Sequence, residues 1–173
     1  MSFSTPEEEY KLKEKFKHHF EGLFSACEEL GWGDPFSYAR SKEMAAVIEL
    51  GHELSNKYSG ADAINKDGDE VEYKSTTGKT VQGAYTGISV QPTWEEQEKY
   101  LREEKIAKYP EHYYNRFDGG KLVESWVLDG SKVLEVLLPK LRKKYPTVLN
   151  KKDPRLSATV TTREIKKYGR RVI

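Results

Sequence analysis

At 173 residues, with 36% hydrophobic and 12% aromatic content, the chain can bury one sizeable core and belongs with folded rather than disordered sequences. A charged fraction of 33% leaves no apolar stretch long enough for a membrane helix. The opening residues MSFSTPEEEYKLKEKF lack the pattern of a secretory leader, and the single cysteine, Cys27, excludes an internal disulfide or thiolate cluster. These features predict one domain over 1–173, cytoplasmic, with no membrane partner. Net charge is only +1, but from Pro139 onward 12 Lys and Arg face two acidic residues. A segment that basic suits a phosphate backbone, since cation–phosphate contacts dominate affinity for DNA.

In chain order, Thr5-Pro6-Glu7-Glu8 reads as a helix start, with Thr5 as N-cap and Glu8 completing a capping box. Leu12, Phe16, Phe20, Leu23, Phe24, Cys27 and Leu30 recur at three- and four-residue spacing, which predicts a helix to about Leu30 with that stripe buried. A second helix is expected from Ser41 to Tyr58, with Met44, Val47, Ile48 and Leu54 inward and Gly60 closing it. The period then changes to two in ADAIN-KDGD-EVEYKS, which predicts a hairpin turning at Asp67-Gly68. After a polar, glycine-containing stretch, TWEEQEKYLREEKIAKYP reads as helix to Pro110. HYYNRF-DGG-KLVESWVL reads as a second hairpin, and Ser131–Tyr145 as a helix that Pro139 should kink or shift. LSATVTTREIKKYGRRVI reads as a Thr-rich strand and a short basic turn or helix. The order predicts an α/β (α+β) fold with a central mixed sheet flanked by helices. Residues 1–60 form its helical N-terminal part.

Asp62, Glu72 and Lys74 form the pattern D-X9-E-X-K across the first hairpin. Alternation along a strand puts Glu72 and Lys74 on one side, with Val71 and Tyr73 on the other, and Asp62 enters from the partner strand. Two converging carboxylates repel by about 4 kcal/mol at 4 Å and an effective dielectric near 20, so they need a cation or raised pKa values. Mg2+ fits, being held by one or two carboxylates together with phosphate oxygens, and Lys74 would stabilise charge developing on the phosphate. The predicted chemistry is phosphodiester hydrolysis. Spacing alone is a weak signal among 28 acidic and 29 basic residues; the hairpin context and the basic C-terminal segment strengthen it.

GADAINKDGDEVEYKS resembles the catalytic hairpin of the PvuII-type restriction endonucleases, in the PD-(D/E)XK nuclease superfamily. The register runs on through Gly83, Thr86 and Pro92 and returns from Lys121 to Tyr145 and from Asn150 to Pro154. The resemblance implies catalytic roles for Asp62, Glu72 and Lys74, with Asp62 and Glu72 holding Mg2+. It implies a homodimer cutting both strands of double-stranded DNA at a short palindromic site, with residues 1–60 in the dimer contact and 61–173 in catalysis and DNA binding. A cognate DNA methyltransferase in the host is implied as well.

Where the family reads bases with a serine and two histidines, this chain has Tyr85, Ile88 and Ser89, so a different target is expected. Tyr85, Thr86 and Ser89 offer hydroxyls to base edges, and Gly83 and Gly87 would permit close backbone approach. Asp153 falls near a base-reading asparagine of the family, and Lys151, Lys152 and Arg155 suit phosphates. Tyr109, Tyr114 and Phe117 are candidates for the position of the family's active-site tyrosine. Glu49 or Glu53 could supply a helix carboxylate, although a solvated face is the plainer reading. Rival functions are a Holliday-junction or repair nuclease of the same superfamily and a non-catalytic DNA-binding protein.

Overall fold

The computed structural model describes residues 5–37, 39–55 and 60–173. Helix α1 spans Pro6–Glu29, and the Thr5 side chain accepts the Glu8 amide at 3.2 Å, as the sequence predicts. Only Cys27 of α1 is buried, which overturns the expected buried stripe. Phe16 is 71% exposed, and Leu12, Phe20, Leu23, Phe24 and Leu30 also face outward. Phe20 stacks on the exposed Phe36, 5.1 Å between centroids.

Helix α2 is shorter than expected, Arg40–Leu50, because Gly51 adopts a left-handed cap with φ of 67°. The chain then turns extended as β1, Glu53–Leu54; residues 56–58 of the expected helix lie outside the described residues. Met44 and Val47 are buried as expected, whereas Ile48 is 67% exposed.

The first hairpin forms. Strand β2, Ala63–Ile64, pairs antiparallel with β3, Glu70–Thr76, in the register Ala63↔Val71. Strand β5, Glu111–Asp118, lies parallel to β3, with Glu72 opposite His112 and Lys74 opposite Tyr114. Strand β6, Lys121–Asp129, completes the second hairpin, and β8, Arg170–Arg171, closes the edge. The mixed central sheet therefore runs β1-β2-β3-β5-β6-β8. Between β3 and β5 come β4, Gly83–Ser89, and α3, Trp94–Tyr100, which passes into a π-helical turn at Leu101–Lys105. Strand β4 leaves the main sheet to form a separate ribbon with β7, Arg155–Val160. Helix α4 covers Gly130–Val148 and runs through Pro139 and Pro146; α5 covers Thr162–Tyr168. Among the described residues the molecule is thus mixed α/β with five α-helices and a mixed central sheet. No helix among them is long and apolar enough to cross a membrane.

Period two divides the core between the sheet faces. Tyr114 and Leu128 point toward α4, α5 and the ribbon, packing with Leu134, Leu137, Leu141, Leu156 and Ile165. Val71, Tyr73, Tyr113 and Val127 point the other way, onto Met44 and Val47 of α2 and Cys27 of α1.

Candidate active site

Asp62 sits one residue before β2, where its amide donates to the Val71 carbonyl at 3.1 Å. Its carboxylate Oδ2 accepts the Tyr73 amide at 2.7 Å, which fixes the side chain against β3. Glu72 and Lys74 share a face of β3, both part-buried, and the Lys74 ammonium donates to a Glu72 carboxylate oxygen. The three sequence-predicted residues are thus brought to one place, Glu72 and Lys74 on β3 and Asp62 just before β2. Burial, followed by repulsion from Glu72, pushes the Asp62 carboxyl up to about 7; the Tyr73 amide and Lys74 oppose the rise. The Asp62 carboxyl therefore keeps its proton to higher pH than a free one, chiefly through burial and secondly through the like charge of Glu72.

A third carboxylate belongs to this field. Glu43 of α2 is pushed up mainly by burial, opposed by Arg40 at 3.3 Å, and raised again by Glu72. The sequence offered Glu49 or Glu53 as a helix carboxylate, with a solvated face as the plainer reading of both. Glu53 instead lies exposed on β1, and Glu49 lines a cleft with His52, Asn65 and Glu111, on the sheet face that carries Tyr113. The spacing Arg40-x-x-Glu43, one helical turn with Val47 inward at the next, was the available signal. Among the described residues no group of three or more His, Cys, Asp or Glu is arranged to enclose a metal ion. Two hard carboxylates are the complement that Mg2+ uses when a phosphate supplies further oxygens, so the donor set fits that ion.

Beneath the carboxylates lies a buried polar chain that the sequence reading missed. His112 is fully buried, and burial lowers its pKa to about 4, so its ring is neutral. Its Nε2 donates to the Ile106 carbonyl at 2.9 Å, which leaves Nδ1 to accept the Tyr85 hydroxyl at 2.8 Å. The Tyr85 oxygen in turn accepts the Tyr114 hydroxyl at 2.9 Å. Tyr85 is 6% exposed, so its hydroxyl is turned inward and not toward a base edge as expected. Gly83 is likewise buried: a Cβ there would lie 2.2 Å from the Tyr114 ring, so the missing side chain makes room for that ring rather than for an external ligand.

Of the three candidates for the tyrosine position, Phe117 packs on the α2 face of the sheet, away from Glu72 and Lys74, and Tyr114 is committed to Tyr85. Tyr109 feels the carboxylates directly: burial first, then the charges of Glu72 and Asp62, push its phenol up to about 12.

The outer residues of the ribbon divide differently. Thr86 and Gly87 are exposed at an irregularity between Tyr85 and Ile88. Ser89 accepts Arg155 Nη1 at 3.0 Å, and Arg155 Nε donates to its near neighbour Asp153 at 3.0 Å, so Ser89 meets a pair from a distant segment. Lys151 and Lys152 are exposed beside them. Lys140 and Lys144 instead tie α4 to β7 through the Thr159 and Ser157 carbonyls, both at 2.7 Å. The tryptophans with described contacts pack as expected, Trp94 meeting Tyr145 edge to face at 5.4 Å. Compared with family models and with curated proteins, the chain matches none.

Proposed function

We propose that this chain is a Mg2+-dependent DNA endonuclease of the PD-(D/E)XK fold, acting as a type II restriction enzyme on double-stranded DNA. The observation that carries the reading is the convergence of Asp62, Glu72 and Lys74 on one sheet face, with Asp62 pushed up to about 7 by burial and Glu72. Asp62 and Glu72 would hold the cation. A bound Mg2+ supplies charge neutralisation at the scissile phosphate and a lowered pKa for water. Lys74 would do the rest of the electrostatic work: its ammonium, paired with Glu72, would donate to a phosphate oxygen as charge builds during attack by water. The bond from phosphorus to the leaving oxygen then breaks, giving a hydroxyl end and a phosphate end. Thr86, Ser89, Asp153 and Arg155 line the outer side of the ribbon as candidate DNA contacts, and Lys151 and Lys152 add positive charge.

A homodimer fits the exposed stripe of α1, since Phe16, Phe20, Phe24 and Leu30 form more contiguous apolar surface than isolated exposed side chains explain. A two-fold pair would set one active site on each strand of a palindrome. A host carrying such an enzyme would need a cognate methyltransferase and would keep both in the cytoplasm.

The test is incubation with unmethylated phage DNA in Mg2+ or EDTA, followed by sequencing of the ends. Discrete Mg2+-dependent fragments sharing one end sequence are expected. A smear would favour a structure-directed or repair nuclease, and intact DNA would favour a non-catalytic binding protein. Lys74→Ala should abolish cleavage while site-specific binding in Ca2+ stays within about threefold, because its role lies in the transition state. Full activity in that variant would remove Lys74 from the mechanism.

A further inference from the structure

Tyr85 occupies an unusual junction. Its backbone belongs to the ribbon, paired with Ala158 of β7, and the next residues, Thr86 and Gly87, are exposed where the ribbon's register shifts. Its hydroxyl belongs to the central sheet, held by His112 and Tyr114 of β5. Its ring face carries the Lys74 ammonium, 5.1 Å from the centroid, within the range of a cation–π attraction. One side chain thus touches the DNA-facing ribbon, the buried frame and the lysine of the site. Neither hydroxyl bond can be exchanged for water, because Tyr85, His112 and Tyr114 are all buried. A displacement of Thr86 and Gly87 would therefore turn the ring about its anchored end and shift the ring face under Lys74.

We propose that Tyr85 is a positioning residue that couples the ribbon to Lys74, so that seating of the correct DNA sequence sets the lysine for hydrolysis. The inference rests on the endonuclease reading above and adds to it a route by which base contacts reach the chemistry. Lys74 has two partners in the structure, the Glu72 carboxylate and the Tyr85 ring, and catalysis requires it to share its ammonium with a phosphate. The ring attracts without accepting a proton or forming a directional bond, so it can hold the ammonium in place while leaving its donors available. The same ring left unanchored would still fill its space but would no longer relay the ribbon's position.

The experiment uses the full chain, single-turnover cleavage with Mg2+, a duplex bearing the site that the wild type cuts, and a duplex altered at one base pair. Tyr85→Phe keeps the ring and removes its anchor. Cleavage of the cognate duplex should slow about tenfold and that of the altered duplex less, so that discrimination between them falls about fivefold, while affinity for the cognate duplex in Ca2+ stays within about twofold. A merely structural role would slow both duplexes by the same factor; that result, or unchanged rates, overturns the proposal. Tyr114→Phe removes only the outer hydroxyl and should shift discrimination in the same direction by less, which keeps the test intact if Tyr85→Phe folds poorly. A wild type that cuts neither duplex with Mg2+ would instead overturn the endonuclease reading and this inference with it.

Discussion

Strands β3 and β5 carry two polar clusters side by side, built on opposite principles. The tyrosine–histidine chain is saturated: neutral His112 uses both ring nitrogens, and Tyr85 both donates and accepts. The carboxylate cluster is left incomplete, with Asp62 pushed up to about 7 by burial and by Glu72. Buried polar groups stabilise a fold when every one is paired and cost stability when like charges are left facing each other. The first cluster therefore adds to the fold's stability, and the second holds a charge conflict of the kind the proposed chemistry would use.

The largest effect should come from Asp62→Asn, which separates the two principles most sharply. Activity should fall by about three orders of magnitude or more, since the proposed ligand for the cation is lost. Stability of the metal-free protein at pH 8 should rise by about 1 kcal/mol, because the repulsion with Glu72 disappears while the amide oxygen still accepts from Tyr73. Urea denaturation measures it; a loss of stability in the Asp62→Asn variant would mean that the carboxylates are not in conflict. His112→Leu should behave in the opposite way. It leaves the Tyr85 hydroxyl without its acceptor and the Ile106 carbonyl without its donor, at a cost of about 2–4 kcal/mol.

Acid should then pull the two clusters apart. Asp62 has a folded pKa raised from 3.8 to about 7, so its contribution is fully present below 3.8 and is lost as pH rises through 7. His112 is lowered from 6.5 to about 4, so its contribution is present above 6.5 and is lost as pH falls through 4. In the wild type the two slopes oppose each other between about pH 4 and 6.5. Removing Asp62 exposes the histidine's slope: the Asp62→Asn variant should lose stability steadily from pH 6.5 to 4, whereas the wild type stays flatter. Parallel pH profiles for the two proteins would show that Asp62 does not carry its raised pKa.

The carboxylate cluster was legible in the sequence because it is local: Asp62, Glu72 and Lys74 lie on one hairpin, and alternation plus the Asp67-Gly68 turn fix their faces. The saturated cluster was not legible, since its members sit on β4 and β5 and meet only through the parallel pairing of β3 with β5 and the position of the ribbon. For the same reason Tyr85 reads as an outward hydroxyl in a glycine-containing stretch, although the fold turns it inward. Helix α1 shows a second limit. Spacing identifies its apolar stripe and Thr5 its start, but periodicity does not say whether the covering surface comes from the same chain, and among the described residues it does not. Helix α2 shows a third, since a left-handed Gly51 ended it eight residues before the expected boundary at Tyr58.

The smallest effect concerns the border of the carboxylate cluster. Glu43 raises Asp62 only as the weakest of its influences, and is itself held by Arg40. If it is a charged neighbour and not a ligand, Glu43→Gln should leave Mg2+ affinity at pH 8 within about threefold, since outer groups tune more than they bind. The pH at which Mg2+ binding reaches half its maximum should move down by a few tenths, because one repelling charge is gone and Asp62 gives up its proton more readily. Calorimetric titration with Mg2+ from pH 6 to 8 would read both quantities. A drop of tenfold or more at pH 8 would place Glu43 inside the metal's coordination and make the site a three-carboxylate one. Its incomplete character would then extend from the sheet onto α2.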